Sequence, residues 1–506
     1  MIFLRNKRIS VLLEFLIALS VLSCNFSFGD KDSSGTMEIR YTDARQAIDG
    51  FGGSNAWTGL PSGAAGNAVV SLLYSRTEGA GFTILRNRIP FRERHQNDDG
   101  SEYDDGFINR NSDDTYKYTE AAGVKTFSLN WNSWELGNTK TLISRILALD
   151  ADGPENLTLL STPWTPPNNR NTNWKTGVPD LSKPDVGGRL DPARYTDYAD
   201  LLADYAKGFE SNMGASLGVL SIQNEPSWAP DYESCLWNGA EIAAFLKVLG
   251  QRFNAKGVAV GVMAPEDENF REDLITASLN DSAASQILTH VGVHQYEGVY
   301  TSASNMGCKV LPNVARSGKR LWQTEISSSS SNNSNRVPPG DMEDALYFAK
   351  MLHLDMTLAE TSAFLFWWLW KSGPDNKGSL ISVNWDGSIF AAARLYALGQ
   401  YSRFVRPGWQ RIGSTTAPAS GVYSSAYKNP GSREIALALI NDGLGTAEIA
   451  LNLRGAPGFS GLEAWRTSET EKLQKVSGAL NASKEGAVIV TLPPCSITTL
   501  CGLVAE

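Results

Sequence analysis

The chain has 506 residues, 42% of them apolar and 20% charged, with a net charge of −9. That length and composition exclude a disordered chain and fit a large folded core with an additional module. No basic block follows the N-terminus, so nucleic acid and anionic membrane surfaces are excluded as partners.

The chain opens with Arg5, Lys7 and Arg8, then an apolar stretch from Ile9 to Leu22 broken only by Ser10, Glu14 and Ser20. The stretch is short for a membrane span and has the layout of a signal peptide, expected over residues 1–24. Val21-Leu22-Ser23-Cys24 loosely matches a bacterial lipobox. The expected product is exported: secreted, or lipid-anchored at the cell surface if Cys24 is lipidated. Of the remaining cysteines, Cys495 and Cys501 are too far apart on one strand to bridge. Cys235 and Cys308 could meet across two loops. No Cys/His spacing of zinc type occurs, and the four His are scattered, so neither a transition metal nor a cofactor is expected.

Residues 36–47 alternate in polarity like a strand. From residue 48 a pattern then repeats, an apolar run followed by a loop and an amphipathic segment. The runs are "IDGFGGSNAW", "FTILRNRIPF", "LTLLSTPW", "VLSIQNEP", "VAVGVMAPE", "LTHVGVHQY", "RLWQTEI" and "AFLFWWLW". Most are Leu-rich or β-branched without alternation, as strands buried on both faces are. Helices are expected between them, including 193–209, 241–254 and 342–359. This alternation predicts an α/β fold, a (β/α)8 TIM barrel over 48–400. From 401 to 506 the texture changes to short alternating strands such as "REIALALIN" and "AVIVTLP", an all-β module. Residues 36–47 are expected to complete it as a β-sandwich rigidly attached to the barrel. The acidic loop 97–114 lacks EF-hand spacing and is expected to be a solvated loop.

In such a barrel the C-terminal strand ends face the active site. There the third strand places Trp164, the fourth Asn224 and Glu225, and the fifth Glu266 and Asp267. The sixth places His294 and Tyr296, the seventh Glu325, and the eighth Trp367, Trp368 and Trp370. Two carboxylates on opposite walls, Glu225 and Glu325, suit glycoside hydrolysis, in which a protonated carboxyl and an ionised one flank the scissile bond. Fourteen Trp and sixteen Tyr suit flat, hydroxyl-rich ligands.

The ordered set "DGFGGSNAW", "LRNRI", "STPWTPP", "SIQNEP", "HQY", "WQTE", "FWW" and "ALGQYSRFVRPGWQRI" resembles glycoside hydrolase family 30, from about residue 40 to the end of the chain. The resemblance implies a retaining enzyme with Glu225 as acid/base and Glu325 as nucleophile. It implies that Asn224 bonds the sugar 2-hydroxyl, that Tyr296 donates to the nucleophile, and that Arg86 lies behind it. Trp164 and Trp368 would be sugar platforms, with Trp57, His294 and Trp370 completing the substrate-binding set. "STPWTPP" is most similar to the xylan-active branches, so the implied substrate is β-1,4-xylan of plant cell walls, cut by a monomeric endoxylanase or xylobiose-releasing enzyme. An endo-β-1,6-galactanase or β-glucanase of the same family is the alternative. Of another class is a non-catalytic carbohydrate-binding surface protein. The glucuronoxylan-specific branch has a Tyr pair after the nucleophile and Arg after the eighth-strand Trp pair. Here Ile326, Ser327 and Ser328 follow Glu325, and Lys371 follows the tryptophans. Lys lacks the planar fork of Arg, so dependence on glucuronic acid branches is not expected.

Overall fold

The computed structural model describes residues 32–506 except 92–93, 97–101, 105, 170, 299–303, 328–341, 374–377 and 483–487. The expected signal segment with Cys24, Ser328 and part of the acidic loop lie outside the described residues.

The eight apolar runs form parallel strands: β1 (Gly50–Ser54), β2 (Ile84–Ile89), β3 (Thr158–Pro163), β4 (Val219–Ser221), β5 (Gly261–Met263), β6 (Leu288–His294), β7 (Arg320–Glu325) and β8 (Ala363–Ser372). Each pairs with the next, and β8 closes the ring on β1, with Phe364 opposite Phe51. The strands lack alternation because both faces are covered. Ile84, Leu160, Val219, Met263, Trp322, Ala363 and Leu365 fill the interior, while the other faces pack against the helices. The glycines of β1 have a specific cause. A Cβ on Gly52 would stand 1.9 Å from the Ile84 carbonyl oxygen, and one on Gly53 2.6 Å from that of Phe366. No side chain fits where β1 wedges between β2 and β8.

The helices start and stop on local signals. Helix Gly239–Lys256 opens with a capping box: the Asn238 side chain accepts from the Ala240 and Glu241 N–H groups, and Glu241 accepts from the Asn238 N–H. It ends at Gly257, whose φ of 66° supplies the left-handed cap. Helix Tyr195–Met213 ends the same way at Gly214. The expected helix 342–359 is an α-helix to Leu354 that continues as a π-turn over Asp355–Ala359.

The second sheet has ten strands. The N-terminal strand Ser33–Ala47 runs between Gln410–Ser414, antiparallel to it, and Ala447–Arg454, parallel to it. Register shifts between Arg40, Ala44 and Ala47 bend this strand, and the sheet curls around its own apolar core of Ile39, Ile412, Leu437, Ile449 and Leu500, among others. The two bodies meet along helix Met342–Leu354, where Met342, Ala345, Leu346 and Ala349 pack with Ile440 and Ile497 of the sheet. Beside this seam a fully buried ion pair, Arg394 to Asp344 at 2.7 Å, ties helix Ala393–Ser402 to the same helix. Among the described residues all four cysteines are free, Cys235 and Cys308 both buried. No described helix is long and apolar enough to cross a membrane.

Candidate active site

At the C-terminal rim the fourth run leaves the ladder early. β4 ends at Ser221, and Ile222 to Glu225 continue as irregular backbone tied to both neighbouring strands. The Asn224 N–H donates to the Pro163 carbonyl (2.8 Å) and the Glu225 N–H to the Glu266 carbonyl (2.9 Å). Gln223 explains its own place: its side-chain amide donates to the Trp164 carbonyl at 2.6 Å and so fastens the end of β4 to the end of β3. Glu225 and Glu266 both have positive φ, 46° and 55°. Such left-handed conformations cost about 1–3 kcal/mol each and persist only where surroundings enforce them.

The side chains converge on one buried guanidinium. Arg86 of β2 donates to Glu325 Oε2 at 2.7 Å and to Asn224 Oδ1 at 2.6 Å, and its Nε pairs with Glu266 at 2.9 Å. Thr162 donates to the other Glu266 oxygen at 2.8 Å. Glu325 also accepts from the Tyr296 hydroxyl at 2.7 Å. The Asn224 side-chain oxygen is thus committed to Arg86. His294 stands between the two acids, Nδ1 2.9 Å from Glu225 Oε1 and Nε2 3.9 Å from Glu325 Oε2.

The two carboxyls have different surroundings. Burial pushes Glu225 up to about 8, and although Arg86 opposes this, the nearby Glu268, Asp267 and Glu266 charges add to it. Burial raises Glu325 as well, and the Glu225 charge adds to this, while Arg86 and the Tyr296 hydroxyl favour its ionised form. Burial lowers the pKa of His294, keeping the imidazole neutral. His294 Nδ1 and Glu225 Oε1 share one hydrogen bond, which leaves Oε2 outside it. One ligand atom each of Glu225, His294 and Glu325 lie within 4.8 Å of one another, a spacing that a cation could span. The Arg86 guanidinium already supplies the positive charge there. Carboxyls this close fit the short separation, about 5–5.5 Å, of an acid facing a nucleophile, not the wider one of a water-activating pair.

Aromatic rings wall the mouth. Trp57, Trp164 and Trp367 meet with centroids 5.2–5.7 Å apart, Tyr232 stands 6.0 Å from Trp57, and Trp368 stacks on Trp367 at 5.2 Å. Trp57 has a φ of 55°, and its N–H donates to Glu135 at 3.0 Å. Glu135 and Glu233 clasp Arg88, which lies 5.4 Å from the Trp57 ring. This ionic group, buried under the wall, joins residues far apart in sequence, and no local motif announces it.

Three expected contact residues sit differently from the sequence-based expectation, while Arg86 lies behind the nucleophile as the resemblance implied. Trp370 is buried among the strands and helices, its indole N–H donating to the Gly59 carbonyl at 3.1 Å, so it cannot touch a ligand. A register shift between Phe366 and Trp368 breaks the alternation of β8, turns Trp367 and Trp368 together to the mouth, and leaves Trp370 beneath. Trp164 is only 3% exposed, with Arg86 4.8 Å from its centroid, so it backs the wall instead of offering an open face. Arg86 and His294 are fully buried and act through the carboxyls they touch. Trp367, Tyr232, Glu266 and Glu135 belong to the site and were not singled out from sequence as contact or catalytic residues. The doubled Trp of "FWW" and the third carboxylate at a strand end were the available signals for Trp367 and Glu266.

A family model described as O-glycosyl hydrolase family 30 matches residues 34–382. The chain is 26% identical over 475 residues to the glucuronoxylanase XynC of Bacillus subtilis, covering 93% of this chain and 92% of that protein. It is 30% identical over 320 residues to a XynC of B. subtilis strain 168, covering 62% and 67%. Among solved structures, the family 30 subfamily 8 xylanase Xyn30A of Clostridium acetobutylicum superposes with a TM-score of 0.68 at 26% identity, covering 93% of this chain and all of that one.

Proposed function

This chain belongs to O-glycosyl hydrolase family 30, and from that membership we propose that it is an endoxylanase hydrolysing β-1,4-xylan without dependence on glucuronic acid branches. The observation that carries the catalytic part is the pair of buried carboxyls at the barrel mouth, Glu225 beside His294 and Glu325 held by Arg86 and Tyr296, with oxygens within 4.8 Å of one another. The similarity to two glucuronoxylanases and a xylanase supports the substrate.

Glu225 gives its proton to the glycosidic oxygen while Glu325 Oε attacks the anomeric carbon, forming a covalent glycosyl-enzyme and releasing the aglycone. Glu225, now a carboxylate, takes a proton from water as that water attacks the same carbon, and Glu325 leaves. Two inversions give net retention. Tyr296 and Arg86 hold Glu325 aligned for attack, and the Asn224 amide faces the sugar beside the reaction centre.

The acid must be protonated in the free enzyme, and burial holds Glu225 at about 8. The alkaline limb of kcat/KM is therefore expected near that pH, activity being present below it and lost as pH rises through it. A limb near 5 in the pH profile would remove Glu225 from the acid role.

The lack of branch dependence is supported by what surrounds the nucleophile. Ile326 and Ser327 are buried, and the Lys371 ammonium lies 4.3 Å from the Trp368 centroid, spent on an aromatic face. A bidentate carboxylate grip needs the guanidinium fork. Product profiles from linear xylo-oligosaccharides, arabinoxylan, glucuronoxylan, β-1,6-galactan and β-1,6-glucan test this. Rates on the xylans are expected to agree within about tenfold, since each lost charge-assisted bond is worth about 1.5–3 kcal/mol. Inactivity on linear xylo-oligosaccharides, or fragments bearing one glucuronate at a constant position, would overturn the branch independence. Cleavage of a β-1,6-glycan alone would overturn the substrate.

The basic and apolar N-terminal residues support export, and the single-chain site supports action as a monomer. We propose both.

A further inference from the structure

Beyond β8 the chain returns as β9 (Ser379–Val383), parallel to the outer half of β8, and β10 (Ile389–Ala391), antiparallel to β9. Their connecting turn is rigid. The Asn384 N–H donates to the Ser388 carbonyl and the Gly387 N–H to the Asn384 carbonyl, both at 2.9 Å. The Asn384 amide donates to Ser388 Oγ at 2.8 Å, and the Ser388 N–H and hydroxyl donate to Asp386 at 2.9 and 2.6 Å. Gly387, at φ 82°, takes the left-handed position that closes the hairpin. On the tip of this fixed turn stands Trp385, 77% exposed.

Among the described residues nothing packs this indole into a core: polar groups close the turn, and the ring joins neither apolar cluster. Nor is it part of an apolar patch of the kind that partner proteins bury. Phe390, the exposed ring on β10, lines a separate hollow with Leu72, Tyr396 and Lys472. Trp385 instead lies over the end of β8, its Cζ2 3.8 Å from where a Cβ on Gly373 would stand. At the strand rise of roughly 3.3 Å per residue, Gly373 is about 16 Å beyond Trp368. A glycan chain leaving the catalytic wall along β8 passes this ring several sugars out. The direction follows from the chemistry. Glu225 protonates the leaving oxygen, so the aglycone lies toward the β4 wall, and β8, four strands away across the eight-strand ring, lies on the opposite, glycone side.

We propose that Trp385 is a distal platform for the polysaccharide backbone on the glycone side, its indole face stacking on the C–H face of a sugar several residues from the cut. This rests on the reading of the chain as an endo-acting xylanase.

The test uses the full chain and Trp385→Ala, with Trp385→Phe retaining an aromatic face. The ratio of kcat/KM on xylohexaose and longer chains to that on an aryl xylobioside is expected to fall about tenfold in the Ala variant, equivalent to about 1.4 kcal/mol. The loss should reside in KM and be largely recovered in the Phe variant. With reducing-end-labelled oligosaccharides, losing a glycone contact moves cleavage toward the non-reducing end, so the labelled fragments lengthen. An unchanged ratio, or shortened labelled fragments, would overturn the proposal. A wild-type enzyme that leaves xylan uncut would sink the substrate reading instead. Wild-type cutting with an unaltered ratio in Trp385→Ala would sink the platform alone.

Discussion

Glu325→Gln is expected to lower kcat by roughly 10⁴-fold or more, the scale on which loss of a covalent nucleophile is felt. The amide nearly matches the carboxylate in shape and can still accept from Tyr296, so the barrel should remain folded and should still bind xylan. What it cannot do is attack the anomeric carbon. It also places an N–H₂ group or a weaker acceptor against Arg86, where a carboxylate oxygen now sits at 2.7 Å. A 2-deoxy-2-fluoro xylobioside with a good leaving group should label the wild-type chain at Glu325. Peptide mass mapping that found the label on Glu225 or Glu266, or a variant with near-normal turnover, would remove Glu325 from the nucleophile role.

Glu225→Ala should behave differently, and the contrast identifies the acid/base. On xylan, where the leaving sugar alcohol needs a proton, the loss is expected to be about 10²–10⁴-fold. On an aryl glycoside whose leaving group departs unprotonated, the first step should survive and the glycosyl-enzyme should accumulate for want of a base. Azide needs no base and fits the space the side chain vacates. It should accelerate turnover and yield the β-glycosyl azide by a second inversion at the same carbon. Indifference to azide, or an α product by NMR, would mean that Glu225 does not hold the proton.

How much of this was legible in the sequence depended on the range of the interaction. The strands announced themselves because a strand buried on both faces is mostly apolar and lacks alternation, as "AFLFWWLW" is. The catalytic pair was legible because strand ends in a barrel share one rim. What local pattern could not carry was parity and long-range pairing. Trp370 was expected in the substrate-binding set with Trp368, and unbroken alternation would put both on one face. One register shift before Trp368 cancels that inference and promotes Trp367 instead. Arg86 could be placed behind the nucleophile only by resemblance. That the same guanidinium also grips Glu266 and Asn224 follows from the closure of the barrel, which brings four strand ends onto one side chain. The clasp of Glu135 and Glu233 on Arg88 was illegible for the same reason: its members sit on three separate loops and elements.

The position of the strand Ser33–Ala47 governs the order in which the molecule can be completed. It precedes the barrel in the chain, yet its two neighbours, Gln410–Ser414 and Ala447–Arg454, follow the barrel. The barrel can close while this strand has no partner, so during synthesis it is a bare edge with both rows of backbone groups unsatisfied. Its polar alternation, with exposed Arg40, Thr42 and Arg45 among the residues along it, is suited to that wait. The same topology makes the two ends of the chain interdependent. Cutting the protein at the boundary near residue 400 would not release a barrel and a sandwich, but would strand the middle strand of one on the wrong fragment. A nascent chain halted before Arg454 would be left with a finished barrel carrying an open, pairing-competent edge.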